Sequence, residues 1–399
     1  MRIFDLSTEI LMGILRSLRI EDQISVAGVC TRFAKLICPL IEKQVVRVET
    51  VLQSLPSGIT QFLSVCGKSI KHIVFADDST LEWFDLFAKY CSHLEEVEVV
   101  KVNDGYYWKK LSEFFKNCAK LLVVKVAYCC LDEDTQLIVF RSLPQVRNLV
   151  GLKLFFCDHI NPEYFKNMLE ANEKLKEIYI TGCLSLVDEI VFHALGNNEN
   201  IERISLDIEF FAESEVFPEF PKLKHITILP SSSGFSHDSA VTDSLNKFFG
   251  DHSATLESMD LGFWNFTDVT EWPTFERLTK LAITNAVHLE DDLLRKIGEA
   301  CKLLEEADLM QSTDNVTGEG LLRFIGVSKN LTYLKLWAFE PYDEELLMRI
   351  YKIKRTMRSV LTIACNNSKW KEMLRSQDAQ YSDLRTYLTV ISSDLVLWN

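Results

Sequence analysis

No stretch of the 399-residue chain approaches the run of about 18 apolar residues that crosses a bilayer. The opening Met1-Arg-Ile-Phe-Asp-Leu-Ser7 lacks the apolar core of a secretory signal. A soluble protein of the cytoplasm, the nucleus or both is therefore expected, with no membrane partner. Positive charge is also in deficit. Lys and Arg number 43 against 57 Asp and Glu, giving a formal net charge of -14 and a pI near 5.2. Phosphate contacts need a dense field of cations, so nucleic acid is not an expected partner. Catalytic signatures are missing as well. There is no His-Glu-x-x-His zinc helix, no Gly-x-Ser-x-Gly elbow and no Gly-rich phosphate loop, and only Gly318-Glu-Gly320 comes near one. The eight histidines are scattered, and Cys129-Cys130 lacks the Cys-x-x-Cys redox spacing. No catalytic residue, metal ligand or cofactor is assigned, and the chain is not expected to be an enzyme.

What is present is one pattern, repeated: an apolar residue, two variable residues, an apolar residue, one variable residue and a third apolar residue. Eleven copies open at Ile70, Leu94, Leu121, Leu149, Leu175, Ile201, Leu223, Leu256, Leu278, Leu304 and Leu331, with steps of 22 to 33 residues. Two fainter echoes follow at Arg358-x-x-Leu361-x-Ile363 and Arg385-x-x-Leu388-x-Val390. Steps near 26 residues carrying Leu-x-x-Leu-x-Leu match the leucine-rich repeat. Each unit supplies a short strand and a return segment, and its apolar face is buried only when a neighbour stacks on it. The expectation is an α/β fold: a curved solenoid of about 12–14 repeats over residues 46–399 with a parallel concave sheet.

Return segments read as helices where apolar spacing is three, four, three, as at Leu81, Phe84, Ala88, Cys91 and at Trp108, Leu111, Phe115, Cys118. The 22-residue steps from Ile201 and Leu256 contain Pro218, Pro221 and Pro273, which disfavour a helix. Between them lies Pro230-Ser-Ser-Ser-Gly234, a loop signal, before a helix predicted over about Asp238–Phe249. This sector, Ile201–Leu278, is either drift or a specificity element. The eleven cysteines follow the repeat instead of pairing. Cys91, Cys118 and Cys301 lie three residues before an opening, and Cys129, Cys157 and Cys183 lie eight after one. At the latter place a small thiol fills space and serves turn carbonyls, so reduced structural thiols are expected.

Residues 1–45 lack the pattern. Ile10, Leu11, Ile14, Leu15 and Leu18 form a helical stripe, opened by Ser7 as N-cap with Glu9 in the first turn, and short helices are predicted over about Glu21–Ala27 and Thr31–Ile37. Leu6-Ser-Thr-Glu-Ile-Leu-Met-Gly-Ile-Leu-Arg-Ser-Leu18 with Val26-Ala-Gly-Val-Cys-Thr-Arg-Phe-Ala-Lys-Leu-Ile37 resembles an F-box, the motif that docks a protein onto the Skp adaptor of a cullin-RING ubiquitin ligase. Ser7 stands where the family usually has Pro and keeps helix-start chemistry. Phe33 stands where Trp is commoner and keeps a large aromatic anchor. An F-box ahead of cysteine-bearing leucine-rich repeats is similar to a known family architecture. The resemblance implies a non-catalytic, substrate-recognition subunit of an SCF (Skp/cullin/F-box) ligase. Leu6, Ile10, Leu15, Leu18 and Phe33 would hold the Skp-type adaptor, and through it the cullin-RING ligase, while the repeats hold a protein substrate. The alternative is an interaction scaffold in which residues 1–45 merely cap the solenoid.

Strands about 4.8 Å apart would give an inner arc of roughly 55–65 Å, suited to a folded protein or a peptide. Alternation along each strand points Lys125, Lys153, Tyr179 and Arg203 to that face as a basic lane, fit for an acidic or phosphorylated segment. Tyr333, Lys335 and Trp337 would put two aromatics and a cation on one strand, the composition of a binding hot spot.

Overall fold

The computed structural model describes residues 3, 6–55, 58–77, 80, 83–102, 105–118, 120–129, 143, 146, 148–157, 159–212, 217–230, 239–262, 266, 269, 271–312, 315–336, 343–375 and 383–391. It forms two compact units, Met1–Asn200 and Ile201–Asn399.

The first unit opens with three helices, α1 (Thr8–Arg16), α2 (Ile20–Ala27) and α3 (Thr31–Ile41), close to the predicted spans. Ser7 caps α1 as expected, its hydroxyl accepting the Ile10 N–H at 3.5 Å, with Glu9 in the first turn. The other end of α1 is closed by Gln23, a buried residue whose amide donates to the carbonyls of Leu15 and Leu18 at 3.0 and 3.1 Å. That satisfies carbonyls that the helix itself leaves without partners. Helices α4 (Val48–Ser54) and α5 (Ile59–Cys66) come next. A Cβ at Gly28 would run into Leu55, so the end of α2 seats directly on the end of α4.

Strands β1 (Val45–Arg47), β2 (His72–Ala76), β3 (Glu96–Val100), β4 (Val123–Ala127), β5 (Gly151–Phe155) and β6 (Glu177–Thr181) pair in chain order, all parallel. The second unit repeats the scheme with β7 (Arg203–Asp207), β8 (His225–Leu229), β9 (Ser258–Gly262), β10 (Lys280–Thr284), β11 (Glu306–Asp308), β12 (Tyr333–Lys335), β13 (Leu361–Ala364) and β14 (Leu388–Ile391). The fold is thus α/β with parallel repeat strands, as the periodicity predicts. All eleven opening residues are at most 1% exposed. Both echoes are strands, β13 and β14. The strand β1 is not anticipated: its Val46 pairs with Ile73, 27 residues on, but the place of the opening apolar residue is taken by Lys43.

Seven residues after an opening the chain leaves the strand through a left-handed corner, at Asp77, Lys101, Tyr128, Phe156, Gly182, Asn285 and Gln311, with φ between 51° and 73°. Each corner amide in β2–β5 donates to the next strand, as from Asp77 to Val100 at 2.8 Å and from Phe156 to Thr181 at 2.7 Å. One residue later sit the cysteines, placed as predicted. The Cys129, Cys157 and Cys183 thiols face the carbonyls of Ala127, Phe155 and Thr181 at 3.3, 3.4 and 3.5 Å, and Cys157 N–H donates to Cys183 Sγ at 3.4 Å. In the second unit Ser312 does the same work, accepting Ala286 N–H and donating to Ile283, both at 2.8 Å. All ten described cysteines are free thiols, and burial pushes Cys91, Cys118 and Cys301 up to about 12.

Return segments are helical where the stripe is regular. Helix α6 (Phe84–Tyr90) buries Phe84 and Phe87, with Ala88 only half-buried, because Phe87 takes the inward place assigned to Ala88; Leu81 lies outside the described residues. Helix α7 (Gly105–Asn117) and the residue after it bury Trp108, Leu111, Phe115 and Cys118 as predicted. Helices α8 (Pro162–Ala171) and α9 (Glu189–Gly196) complete the first unit, and α10 (Glu209–Ala212), α11 (Ser239–Asp251), α12 (Asp291–Ala300), α13 (Gly318–Val327), α14 (Glu344–Met357), α15 (Ser368–Arg375) and α16 (Leu384–Tyr387) belong to the second.

The irregular sector follows its prolines. Between β7 and β8 only the four-residue α10 forms among the described residues, and between β9 and β10 there is no helix among them. Aromatic rings occupy the space instead. Phe211, Phe217 and Phe220 pack on Phe248 of α11 with centroids 5.2 to 6.2 Å apart, and Trp272 meets Phe249 and Phe275 at 6.1 and 6.3 Å. Buried His252 is the polar tie of this cluster: its Nδ1 donates to the Phe248 carbonyl at 2.8 Å and its Nε2 accepts Phe220 N–H at 3.0 Å. Only a neutral ring can accept that second bond, and burial holds the pKa below the ordinary value of 6.5. Because the folded chain resists a proton that the unfolded chain takes up, stability is expected to fall as pH drops below 6.5 toward the depressed value. In His252→Ala this pH slope should vanish, at a cost of about 1–3 kcal/mol near neutrality. Urea melts of both proteins across that range check it.

Candidate functional site

Two surfaces are candidates, and elementary helix and strand geometry builds each. On α1, two apolar columns run side by side at spacing four, Leu11 with Leu15 and Ile10 with Ile14. Adjacent residues differ by about 100° around a helix axis, so both columns cannot face the core. Leu11 and Leu15 point inward at 1% and 3% exposure, and Ile10 and Ile14 stand out at 53% and 43%. Leu6 and Leu18 are half-buried, and Val29, in the α2–α3 turn, is exposed. Phe33 lies in the helical core. The expected adaptor-binding set thus divides by exposure. Leu15 and Phe33 hold the three helices together, whereas Ile10 and, unanticipated, Ile14 and Val29 are the apolar groups presented to solvent.

The second surface is the strand face. In the first unit, register places Lys125 between Glu98 and Lys153, and Tyr179 beside Lys153. Lys125 Nζ lies 3.0 Å from Glu98 and 5.4 Å from the centre of the Phe155 ring; Lys153 Nζ lies 3.6 Å from Glu177 and 4.6 Å from the Tyr179 ring centre. The lane is thus an alternation of paired charges on aromatic rings and not a run of bare cations, since each lysine is satisfied by a glutamate one strand away. At its edge, Tyr128 and Phe156 occupy left-handed corners on consecutive repeats. Their rings stack with centroids 5.1 Å apart and planes 7° from parallel, 53% and 44% exposed. The Phe156 ring lies against Gly182, where a Cβ would collide with it.

A bulky residue in that backbone conformation costs about 1–2 kcal/mol. The other repeats put Asp77, Lys101, Asn285, Gln311 or Gly182 there. Two exposed aromatics held in strained corners are the strongest site signal on this unit that the sequence reading missed. The available signal was aromatic residues at the eighth place of the repeat, where its neighbours are polar or glycine.

No protein-family model matches the chain, and no curated protein matches it. Among solved structures it is similar to the crystal structure of the Rad7 and Elc1 complex in yeast, at 14% identity over 98% of this chain and 94% of that one, with a TM-score of 0.43. A second similar structure is a protein from Bacteroides fragilis, at 13% identity over 70% of this chain and 68% of that one, with a TM-score of 0.34.

In the second unit, Arg203 opens β7 and is exposed. Tyr333 is half-buried, and burial raises its hydroxyl pKa. Lys335 corrects the expectation of an exposed cation. It is 6% exposed, with Nζ 3.0 Å from Asp308, its partner on the neighbouring strand. The carboxylate drew the ammonium down onto the sheet, so Lys335 is part of the structure beneath any contact surface. Trp337 lies outside the described residues. Among the described residues, no helix is long and apolar enough to cross a membrane, and no group of three or more His, Cys, Asp or Glu side chains is placed to hold a metal ion.

Proposed function

We propose that this chain is a substrate-recognition subunit of an SCF-type ubiquitin ligase, binding a Skp-type adaptor through its N-terminal helices and a protein substrate on the strand face. The observation that carries the reading is the pair Ile10 and Ile14. They are exposed aliphatic side chains one turn apart on α1, in the segment that resembles an F-box, and the chain's own fold leaves them uncovered. Isolated exposed apolar residues are ordinary, but an apolar column on an amphipathic helix is a docking stripe. On the substrate side, Lys125, Lys153 and Tyr179 of the first unit supply orientation and the Tyr128–Phe156 stack supplies apolar contact, with Arg203, Tyr333 and Trp337 of the second unit as further candidates. The protein supplies proximity and not chemistry, raising the effective concentration of substrate at the ubiquitin-loaded enzyme.

The test is a binding titration of purified Skp-type adaptor against the full chain. Ile10→Glu combined with Ile14→Glu should weaken binding by about 100-fold or more while leaving the melting curve unchanged, because both sites are on the surface. An adaptor that ignores the wild-type chain, or binds the double variant equally well, overturns the reading in favour of a scaffold with a helical cap.

A further inference from the structure

We infer that Cys38 and Cys66 form a reversible, oxidant-operated disulfide that staples the three-helix segment to the start of the repeat array. Cys38 lies on α3 and Cys66 ends α5, and their Sγ atoms stand 3.5 Å apart across the seam between these helices. Each sulfur also faces a carbonyl of the opposite helix, Cys38 that of Val65 at 3.6 Å and Cys66 that of Ala34 at 3.5 Å. A disulfide needs the sulfurs at about 2.05 Å, so the seam must close by about 1.5 Å, within the reach of side-chain rotation.

The two thiols divide the roles that redox pairs need. Cys38 is half-buried and open to a small oxidant, whereas Cys66 has no exposed surface. The Cys66 thiol, hydrogen-bonded to Cys38, holds Cys38 down at about 6 against the opposing effect of burial, with help from Ser69. Cys66 itself is pushed up by the same contact and by burial. An accessible thiolate beside a resolving thiol is the arrangement that senses oxidants. Cys91, Cys118, Cys129, Cys157, Cys183, Cys301 and Cys365 are buried within the fold and lack such access.

The oxidant is a hydroperoxide. The Cys38 thiolate attacks its outer oxygen and breaks the O–O bond, leaving a sulfenic acid and releasing an alcohol, or water when the oxidant is hydrogen peroxide. Cys66 sulfur then attacks Cys38 sulfur, and the departing hydroxide takes the Cys66 proton and leaves as water. The proton lost when Cys38 ionises goes to the departing alkoxide, so that the two thiols lose two protons and two electrons in all, and the hydroperoxide takes up both and is reduced to an alcohol and water. The inference does not depend on the ligase reading, since it concerns only how the helical segment is joined to the repeats.

Treatment of the purified full chain with hydrogen peroxide, alkylation and digestion without reduction should yield a Cys38–Cys66 linked peptide in most molecules. Dithiothreitol should reverse it, and the oxidised protein should melt a few degrees higher because the link restricts the unfolded chain. Before oxidation, Cys38 should alkylate at pH 7 about tenfold faster than Cys30, the other half-buried thiol among the described residues. Cys66→Ala should abolish the linked peptide and leave Cys38 trapped by dimedone as a sulfenic acid. Should that variant fail to fold, the wild-type peptide map decides alone. Recovery of both Cys38 and Cys66 as alkylated thiols after Cys30 has been oxidised, or a Cys38 link to another cysteine, would overturn the inference.

Discussion

Asp308→Ala is expected to destabilise the second unit by about 3–5 kcal/mol, a large share of what a domain has to lose. The carboxylate is 3% exposed, and its Oδ2 meets Lys335 Nζ at 3.0 Å, on a lysine only 7% exposed. It also holds the turn after β11, where Oδ1 accepts Met310 N–H at 3.0 Å. Removing it strands a buried ammonium with no replacement anion. Asp260, two strands away in register and thus about 10 Å off, cannot step in; burial together with the nearby Asp308 charge already pushes its carboxyl up to about 6. The damage should come from the orphaned charge and not from the loss of the pair. Asp308→Leu combined with Lys335→Met is therefore expected to recover most of the stability. Denaturant melts of wild type, single and double variants decide this. A single variant within about 1 kcal/mol of wild type would show that the pair is solvated after all.

The second large effect is expected at Leu15. A carboxylate there enters a core of three short helices, which has little apolar area to spare, so Leu15→Asp should cost about 3 kcal/mol or more and unfold that segment. Limited proteolysis should then cut within residues 1–45 while the circular dichroism of the repeats persists. The contrast with the Ile10 and Ile14 double variant matters for interpretation. Under the proposed function both should lose the adaptor, but only the surface pair should do so with α1–α3 intact. Protease resistance equal to wild type in Leu15→Asp would mean that Leu15 does not belong to the core.

The repeat was legible because its apolar triplet is buried at every copy, and burial is what the sequence pattern encodes. The prolines likewise announced which return segments lack a long helix. Direction around an axis was not legible. The stripe Ile10, Leu11, Ile14, Leu15 reads as one apolar face, and only packing against α2 and α3 separates inner from outer columns. Lys335 was misread for a related reason. Its place on the strand face was right, but exposure depends on an acidic partner 27 residues earlier, which alternation along one strand cannot reveal. The strand β1 escaped notice because Lys43 breaks the triplet at the one repeat whose outer side adjoins the helical segment.

One regularity of the corners bears on how such a chain can change over time. In the seven repeats with a described left-handed corner, from Ile70 and Asp77 to Leu304 and Gln311, the count from opening to corner is seven, while the intervals that these repeats open range from 24 to 28. In these repeats the variation in length has therefore been absorbed on the return side. One added residue inside the invariant segment would swap the strand's two faces and turn its buried set outward, whereas ten added residues beyond the corner only reshape the outer surface. Insertions are filtered by where they land and not by how long they are, which leaves the return segments free to diversify over a strand layer that cannot drift.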